Sequence, residues 1–343
     1  MKKVVVAMSG GVDSSVTALL LQKQGYEVIG LTGKMLGASD SICENAKRVA
    51  DKLGIKHYVY NATDIFQRKV VDYFENSYKN GETPNPCIMC NKFVKWGVLF
   101  DYAFDKLGAD LFSTGHYANI KKENEIYKLY PAKDEHKDQL YFLYKLTQKQ
   151  LSKTIFPLSA YDKDEIRQIA VDFDLPPKDS KESQDICFIT KPMTTKKYLL
   201  EKFGVQKGDF IEISTGKKLG EHDGFYLYTI GQRKGIGLSA PEPLYVIDID
   251  AGKNIVYVGF EKDNYKTRLA LKDVNFTYPF FKNEFDAMVK IRYNMDFKKA
   301  KCKVVDEFVE VKFYEHVLSI TAGQAGVMYD INDGHLIGGG TVI

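Results

Sequence analysis

The chain has 343 residues, 44% of them hydrophobic, and its 48 basic and 45 acidic side chains leave a net charge of only +3. That length suggests two or three domains with ample core, and the near-balance of charge confines any nucleic-acid surface to a local patch. Five cysteines are too few, and odd in number, for a disulfide framework. No apolar run nears the roughly 18 residues of a membrane span, and the five apolar residues after Met1-Lys2-Lys3 are too few for a signal-sequence core. The expected location is the cytoplasm, with reduced thiols and no membrane partner.

Val4–Met8 predicts a strand that runs into Ser9-Gly10-Gly11-Val12-Asp13-Ser14-Ser15 and then into a helix over Ser14–Gln24. A strand, a small-residue turn and a helix aim backbone N–H groups and a positive helix end at an anion. Two glycines let a phosphate approach the backbone, and the serine hydroxyls add donors. The Gly-Lys-Ser/Thr ending of a Walker A loop is missing, and an ordinary glycine turn is the plainer reading. Asp13 is either a brace or Mg²⁺-linked carboxylate, or a helix N-cap.

Further strands are predicted at Val28–Leu31, His57–Tyr60 and Leu111–Thr114, with helices at Ile42–Leu53, Ile65–Tyr78 and Phe93–Leu107. This alternation predicts an α/β fold with a parallel sheet covered on both faces. Ligands in such sheets lie beyond the carboxyl ends of the strands. The glycine loop, Gly33 and the Gly115-His116-Tyr117 turn all follow strand ends and so can share one pocket. A two-stranded excursion over Ala118–Tyr130 follows, then helices near Leu140–Leu151 and at Lys163–Phe173.

After about residue 190 short strands take over, at Phe210–Ile213, Tyr226–Ile230, Leu244–Ile249 and Ile255–Gly259. From Thr267 alternation dominates, in Ala287–Tyr293, Cys302–Val305, Phe308–Phe313 and Ala325–Tyr329. The expected organisation is a catalytic domain over 1–190, a small β-rich domain over 191–266 and a C-terminal β-barrel over 267–343. The lysine run at Lys298-Lys299-Ala300-Lys301-Cys302-Lys303 reads as a phosphate grip or as a solvated strand edge. Arg233 and Lys234, in the glycine-punctuated stretch Tyr228–Gly237, read as phosphate contacts or as turn residues.

The second strong signal is Thr83-Pro84-Asn85-Pro86-Cys87-Ile88-Met89-Cys90-Asn91-Lys92. Its prolines predict an extended loop that delivers both cysteines to a helix starting near Asn91. A thiol at a helix N-terminus is acidified, and Lys92 adds a nearby positive charge. Cys187 lies 97 residues beyond Cys90, within Lys181-Glu182-Ser183-Gln184-Asp185-Ile186-Cys187-Phe188-Ile189. By itself the CxxC admits a metal or cluster site, redox chemistry or a structural role. A second CxxC for a four-cysteine zinc site is missing, and the short context of thioredoxin is not there. Cys43 and Cys302 read as core residues.

In order along the chain stand SGGVDSS (9–15), TPNPCIMCN (83–91), TGHYA (114–118), KDQLYFL (137–143), FPLS (156–159), KESQDICFI (181–189), YTIGQRKGIG (228–237), KIRYN (290–294) and GQAGVMYD (323–330). This series resembles the tRNA-specific 2-thiouridylases (the MnmA/TrmU family) over nearly the whole chain, and its first motif resembles the loop of the PP-loop ATP pyrophosphatases. The resemblance implies an adenine-nucleotide alpha-hydrolase-like sheet domain and an enzyme that uses ATP and Mg²⁺ to adenylate the C2 oxygen of a wobble uridine. A cysteine persulfide then supplies sulfur. It implies that Cys187 carries the persulfide and that Cys90 attacks it, closing a Cys90–Cys187 disulfide.

ATP contacts carry over to Ala7, Met8, Ser9, Gly10, Gly11, Val12, Asp13, Ser14, Gly33 and Gly115. tRNA contacts carry over to Asn85, Pro86 and Cys87, to His116, Lys137, Asp138 and Gln139, and to Arg292, Tyr293 and Gln324. The implied partners are the tRNAs for Lys, Glu and Gln and a persulfide donor or relay protein.

The chain departs from the family at Cys87, where Asp is common, at Gly33, where Met is usual, and at Gly326, where a bulkier residue is usual. Cys87, Cys90 and Cys187 within mutual reach are an alternative ligand set for an iron–sulfur cluster with one open iron. Competing functions are a different ATP-pyrophosphatase synthetase, a non-catalytic RNA-binding paralogue and a thiolase acting at another nucleotide.

Overall fold

The computed structural model describes residues 1–36, 39–178 and 186–343; residues 181–185 of the second cysteine motif lie outside the described residues. The first sheet is built from β1 (Lys3–Ala7), β2 (Glu27–Lys34), β3 (Lys56–Asn61) and β4 (Leu111–Thr114). The hairpin β5 (Asn119–Glu123) and β6 (Ile126–Tyr130) follows, and β7 (Thr154–Ile155) completes the sheet. Its order is β3-β2-β1-β4-β7, with every pair parallel. Val4, Val5 and Val6 are all fully buried, as a strand covered on both faces requires. Chain order reverses at β1, which has β2 on one side and β4 on the other. A crevice therefore opens beyond the carboxyl ends of β1 and β4.

Three elements differ from the sequence reading. The cysteine loop is helical from Pro86: Pro86–Cys90 is an α-helix with Asn85 as its extended N-cap. Proline at the first helical position loses no hydrogen bond and brings a suitable φ, so Pro86 starts the helix that it was expected to delay. The helix continues with π-type bonding over Asn91–Leu99 and is interrupted at Gly97.

Leu140–Leu151 is not one helix. A 3₁₀ turn at Leu140–Phe142 and a helix of one turn at Gln148–Leu151 are separated. The carbonyls of Tyr144 and Leu146 accept from the Asn275 side chain at 2.6 and 3.3 Å, so a barrel residue takes their helical bonds. Thr147 and Gln150 then form a capping box that restarts the helix.

Tyr226–Ile230 is not a strand. Phe225–Leu227 is a 3₁₀ turn, and its apolar run reflects burial, which periodicity does not separate from strand. The middle sheet uses β8 (Gly208–Glu212), β9 (Lys218–His222), β10 (Tyr245–Asp250) and β11 (Ile255–Gly259) in the order β10-β11-β8-β9.

The remaining strands are β12 (Tyr265–Phe276), β13 (Glu284–Lys290), β14 (Lys298–Val305), β15 (Phe308–Leu318), β16 (Ala325–Tyr329) and β17 (Leu336–Val342). They close a barrel in the order β12-β15-β14-β13-β16-β17. Closure overturns the edge reading of the lysine run, because β14 is paired on both sides. Ala300 and Cys302 face inward. Outside, Lys298 and Lys301 pair with Glu315 and Glu284 at 3.0 and 2.9 Å, and Lys299 lies over the Tyr314 ring.

The barrel sits against the cysteine segment. Thr83 N–H donates to the Ala322 carbonyl at 2.9 Å, and the Gln324 side chain donates to the Thr83 carbonyl at 2.9 Å and the Pro84 carbonyl at 3.4 Å. Tyr141 adds a hydroxyl bond to the Ala325 carbonyl. Among the described residues no helix is long and apolar enough to cross a membrane.

Candidate active site

The loop after β1 is held by its own hydroxyls. Ser14 Oγ accepts from Ser9 N–H at 3.2 Å and donates to the Gly11 carbonyl, and Ser15 Oγ donates to the same carbonyl at 2.8 Å. Thr32, on β2, clamps the strand end through the Met8 carbonyl at 2.8 Å. Gly10 has φ +72°, and a Cβ there would lie 2.7 Å from Asn45 Cβ and 2.9 Å from the Ile42 carbonyl oxygen. Gly115, just past β4, meets the loop from the other side: a Cβ would lie 2.8 Å from Ser14 N and 2.9 Å from Asp13 C. The two strand ends thus converge with no room for side chains. Ala7, Met8, Ser9, Gly10, Gly11, Val12, Asp13, Ser14 and Gly115 form one rim. Gly33 lies in β2 with its α-carbon facing Leu99.

The N-cap reading of Asp13 is overturned, since Gly11 holds that position and Asp13 lies inside the helix Val12–Lys23. Its carboxylate accepts from Lys163 Nζ at 2.7 and 2.9 Å and from the Tyr117 hydroxyl at 2.9 Å. Asp13 is therefore a brace that ties the loop to the Gly115-His116-Tyr117 turn and to the helix Lys163–Asp172. The sequence named neither partner, because Lys163 is 150 residues away and marked only a helix start. Lys163 is buried while Asp13 is a third exposed. Lys163→Met is expected to destabilise the fold by about 1–3 kcal/mol by stranding the carboxylate, read from the midpoint of urea unfolding.

His116 is buried against Trp96 and Phe156, and its Nδ1 lies 2.7 Å from Thr114 Oγ1. Burial, reinforced by Lys95, pushes its pKa well below the usual histidine range, so the ring is neutral. Gln139 clips this turn with two bonds: its side chain accepts from Tyr117 N–H at 3.0 Å, and its own N–H donates to the Tyr117 carbonyl.

Cys87 and Cys90 project from the first residues of the Pro86 helix, and Cys187 comes from a separate segment. All three are free thiols, with Cys90 buried and the other two exposed. Cys90 is influenced by both other thiols, and Cys187 by Cys87, so the three converge. The acidified thiol expected at the helix start is not found. Burial raises the Cys90 pKa to about 12, and the surrounding protein raises those of Cys87 and Cys187. The cation opposing this in every case is Lys95 rather than Lys92. The π-type stretch explains the switch, since its wider turn brings the residue five positions beyond Cys90 back over it. Maleimide labelling at pH 8 is expected to be about tenfold or more slower at Cys90 than at Cys187, because the thiolate is the reactive form; peptide mass analysis reads the order.

The other site positions named from the sequence have protein partners. The Asp138 carboxyl accepts from the N–H groups of Ala132 and Leu140 and is pushed up to about 6 by burial. Lys137 N–H donates to Asp134, Arg292 donates to the Leu318 carbonyl at 3.0 Å, and Tyr293 packs 4.7 Å from the Phe142 ring. Asn85 and Pro86 start the cysteine helix, and Gln324 ties the segment just before it to the barrel.

Family models match the chain in succession: a tRNA methyl transferase HUP domain over residues 2–191, a tRNA methyl transferase PRC-barrel domain over 196–260 and an aminomethyltransferase beta-barrel domain over 266–342. The tRNA-specific 2-thiouridylase MnmA of Clostridium kluyveri is 45% identical, with 99% of each chain covered. The chain belongs to the tRNA-specific 2-thiouridylase family. The family member from Clostridium acetobutylicum is 44% identical over 100% of this chain and 99% of that one. A solved 4-thiouridine synthetase–RNA complex with bound ATP is more distant, at 22% identity and TM-score 0.39, covering 59% of this chain and 49% of that one. Within the 2-thiouridylase framework, Lys95, Tyr117 and Lys163 are the site residues that the sequence reading missed.

Proposed function

We propose that this chain is a tRNA-uridine 2-sulfurtransferase that replaces the C2 oxygen of the wobble uridine, anticodon position 34, by sulfur. The observation that carries this reading is that Cys90 and Cys187, 97 residues apart in sequence, lie near enough to influence each other, with Lys95 facing both thiols and His116 of the turn beyond β4. The loop fits a nucleotide because it leads from the end of β1 into the N-terminus of a helix, with Gly115 packed closely against it. The one acid in the loop is committed to Lys163 and Tyr117, so Mg²⁺ would be carried by the nucleotide's own phosphates.

The uracil C2 oxygen attacks the α-phosphate of ATP and pyrophosphate leaves. The terminal sulfur of a Cys187 persulfide then attacks C2, and AMP departs with the oxygen. Cys90 attacks Cys187 Sγ, its proton ending on N3 of the released thiouracil; the S–S bond to the uridine sulfur breaks and the Cys90–Cys187 disulfide forms. The sulfur left on C2 keeps the electron pair as 2-thiouridine. A thiol reductant reduces the disulfide and is itself oxidised, and a persulfide-bearing donor or relay protein then transfers its outer sulfur to the Cys187 thiolate, leaving the donor as a thiol. Asn85, Pro86 and Cys87 surround the extruded base, while His116, Lys137, Asp138, Gln139, Arg292, Tyr293 and Gln324 support the anticodon loop, which must present an unstacked nucleotide. The tRNAs for Lys, Glu and Gln are the proposed substrates.

Mass analysis of nucleosides from those tRNAs, after incubation with ATP, Mg²⁺ and a persulfide donor, tests the reading. ATP-dependent 2-thiouridine at position 34 is expected, and its absence, or thiolation at another nucleotide, overturns it. The third converging thiol, Cys87, favours a second arrangement in which Cys87, Cys90 and Cys187 hold an iron–sulfur cluster. Iron and acid-labile sulfide analysis after anaerobic purification separates the two, because a colourless, metal-free and active enzyme excludes the cluster.

A further inference from the structure

Lys92, displaced by Lys95 as the charge facing the thiols, belongs to a different group. Its ammonium lies 5.0 Å from the centre of the Phe93 ring, and that of Lys69 lies 5.3 Å from the same ring. Lys145, only 8% exposed, completes the group from the segment that abuts the barrel. Its ammonium donates to the Asp273 carbonyl on β12, at 3.2 Å. Among the described residues none of the three forms an ion pair, although lysines elsewhere do, on β14 and at Asp13. Three unpaired ammonium groups thus flank the cysteine helix where the sheet domain meets the barrel. The chain's net charge of +3 makes such a concentration local and not a by-product of general excess.

We propose that Lys69, Lys92 and Lys145 form a phosphate grip for the RNA strand that enters the cysteine pocket. This rests on the reading that tRNA is the substrate. The Lys145 ammonium has one carbonyl acceptor and lies 5.0 Å from the centre of the Tyr144 ring, which leaves donor capacity among its three protons, and a phosphate oxygen supplies charge-assisted bonds to it. Burial, with Lys92 adding to it and Asp273 opposing, lowers the Lys145 pKa to about 8, the direction that a docked anion reverses. The position also fits: Lys92 stands on the helix that carries Cys90, on another face than the one Lys95 turns to the thiols, so the grip lies beside the cysteine pocket.

The test is the salt dependence of tRNA binding, measured for the parent, for Lys69→Ala/Lys92→Ala together, and for Lys145→Met, which keeps the apolar stem. Each lost contact to single-stranded phosphate is expected to reduce the slope of log affinity against log salt by about 0.7, hence by about 1.4 in the double variant. Lys301→Ala, which removes a barrel lysine already paired with Glu284, is expected to leave the slope unchanged. Slopes equal to the parent in the double variant overturn the grip, as does an equal fall in Lys301→Ala. Should Lys145→Met not fold, the exposed pair decides. A parent chain that binds no tRNA would instead overturn the proposed function.

Discussion

Cys187→Ala is expected to lower 2-thiouridine formation by about 10³-fold or more, the scale on which loss of a covalent group acts. Cys187 is exposed, so the substitution removes a sulfur carrier without opening a cavity. Cys90→Ala is expected to fail at a later step. Sulfur reaches C2 but no thiol is left to release it, so a Cys187–S–S–uridine adduct accumulates that dithiothreitol cleaves, visible as a tRNA-bound band on a non-reducing gel. Cys302 is the control, because it is fully buried inside the barrel. Cys302→Ala is expected to lower stability and to leave thiolation intact. Parent-level activity in either Cys187→Ala or Cys90→Ala would remove the proposed route, and an adduct in Cys187→Ala would reverse the two roles.

The second large effect is expected at Gly10. Alanine there must adopt φ +72° and place its Cβ 2.7 Å from Asn45 Cβ and 2.9 Å from a backbone oxygen. The left-handed conformation costs about 1–2 kcal/mol for a residue with a Cβ, and backbone contacts that close cannot be relieved by rotating a side chain. A total loss of about 2–4 kcal/mol is expected, with ATP affinity falling by about tenfold or more as the loop shifts. Gly25 separates strain from contact: it has φ +84°, and an added Cβ would meet nothing within 4 Å. Gly25→Ala should therefore show the conformational part alone and bind ATP as the parent does. Equal unfolding midpoints for the two variants would show that the Asn45 contact is relieved.

Much of the sheet domain was legible because its local signals agree. Val4–Val6 is a continuous apolar run, the glycines follow at once, and the strand at Leu111–Thr114 has the bounds read from the sequence. Four of the six barrel strands showed alternation, with Ala325–Tyr329 at the bounds read, whereas Tyr265–Phe276 and Leu336–Val342, which is buried at every position, were not named. The failures have two causes, one distant and one local. Leu140–Leu151 has a helical pattern, but Asn275, more than 120 residues away, takes the carbonyls that a helix would use. Pro86 was read as a helix breaker when its place at the first helical position makes it a starter.

At the site, contiguous residues by themselves determined the strand, glycine turn and helix of the anion-facing loop and the presence of a CxxC, while the pairing of Cys90 with the distant Cys187 was implied by the family resemblance. Tertiary structure alone decided what surrounds them: Lys95 facing the sulfurs, Lys163 and Tyr117 holding Asp13, and Gln324 pinning the cysteine segment to the barrel. Burial and charge pairing depend on which segments meet in space. The acidity expected of Cys90 was therefore reversed by the protein packed around it, which no local pattern encodes.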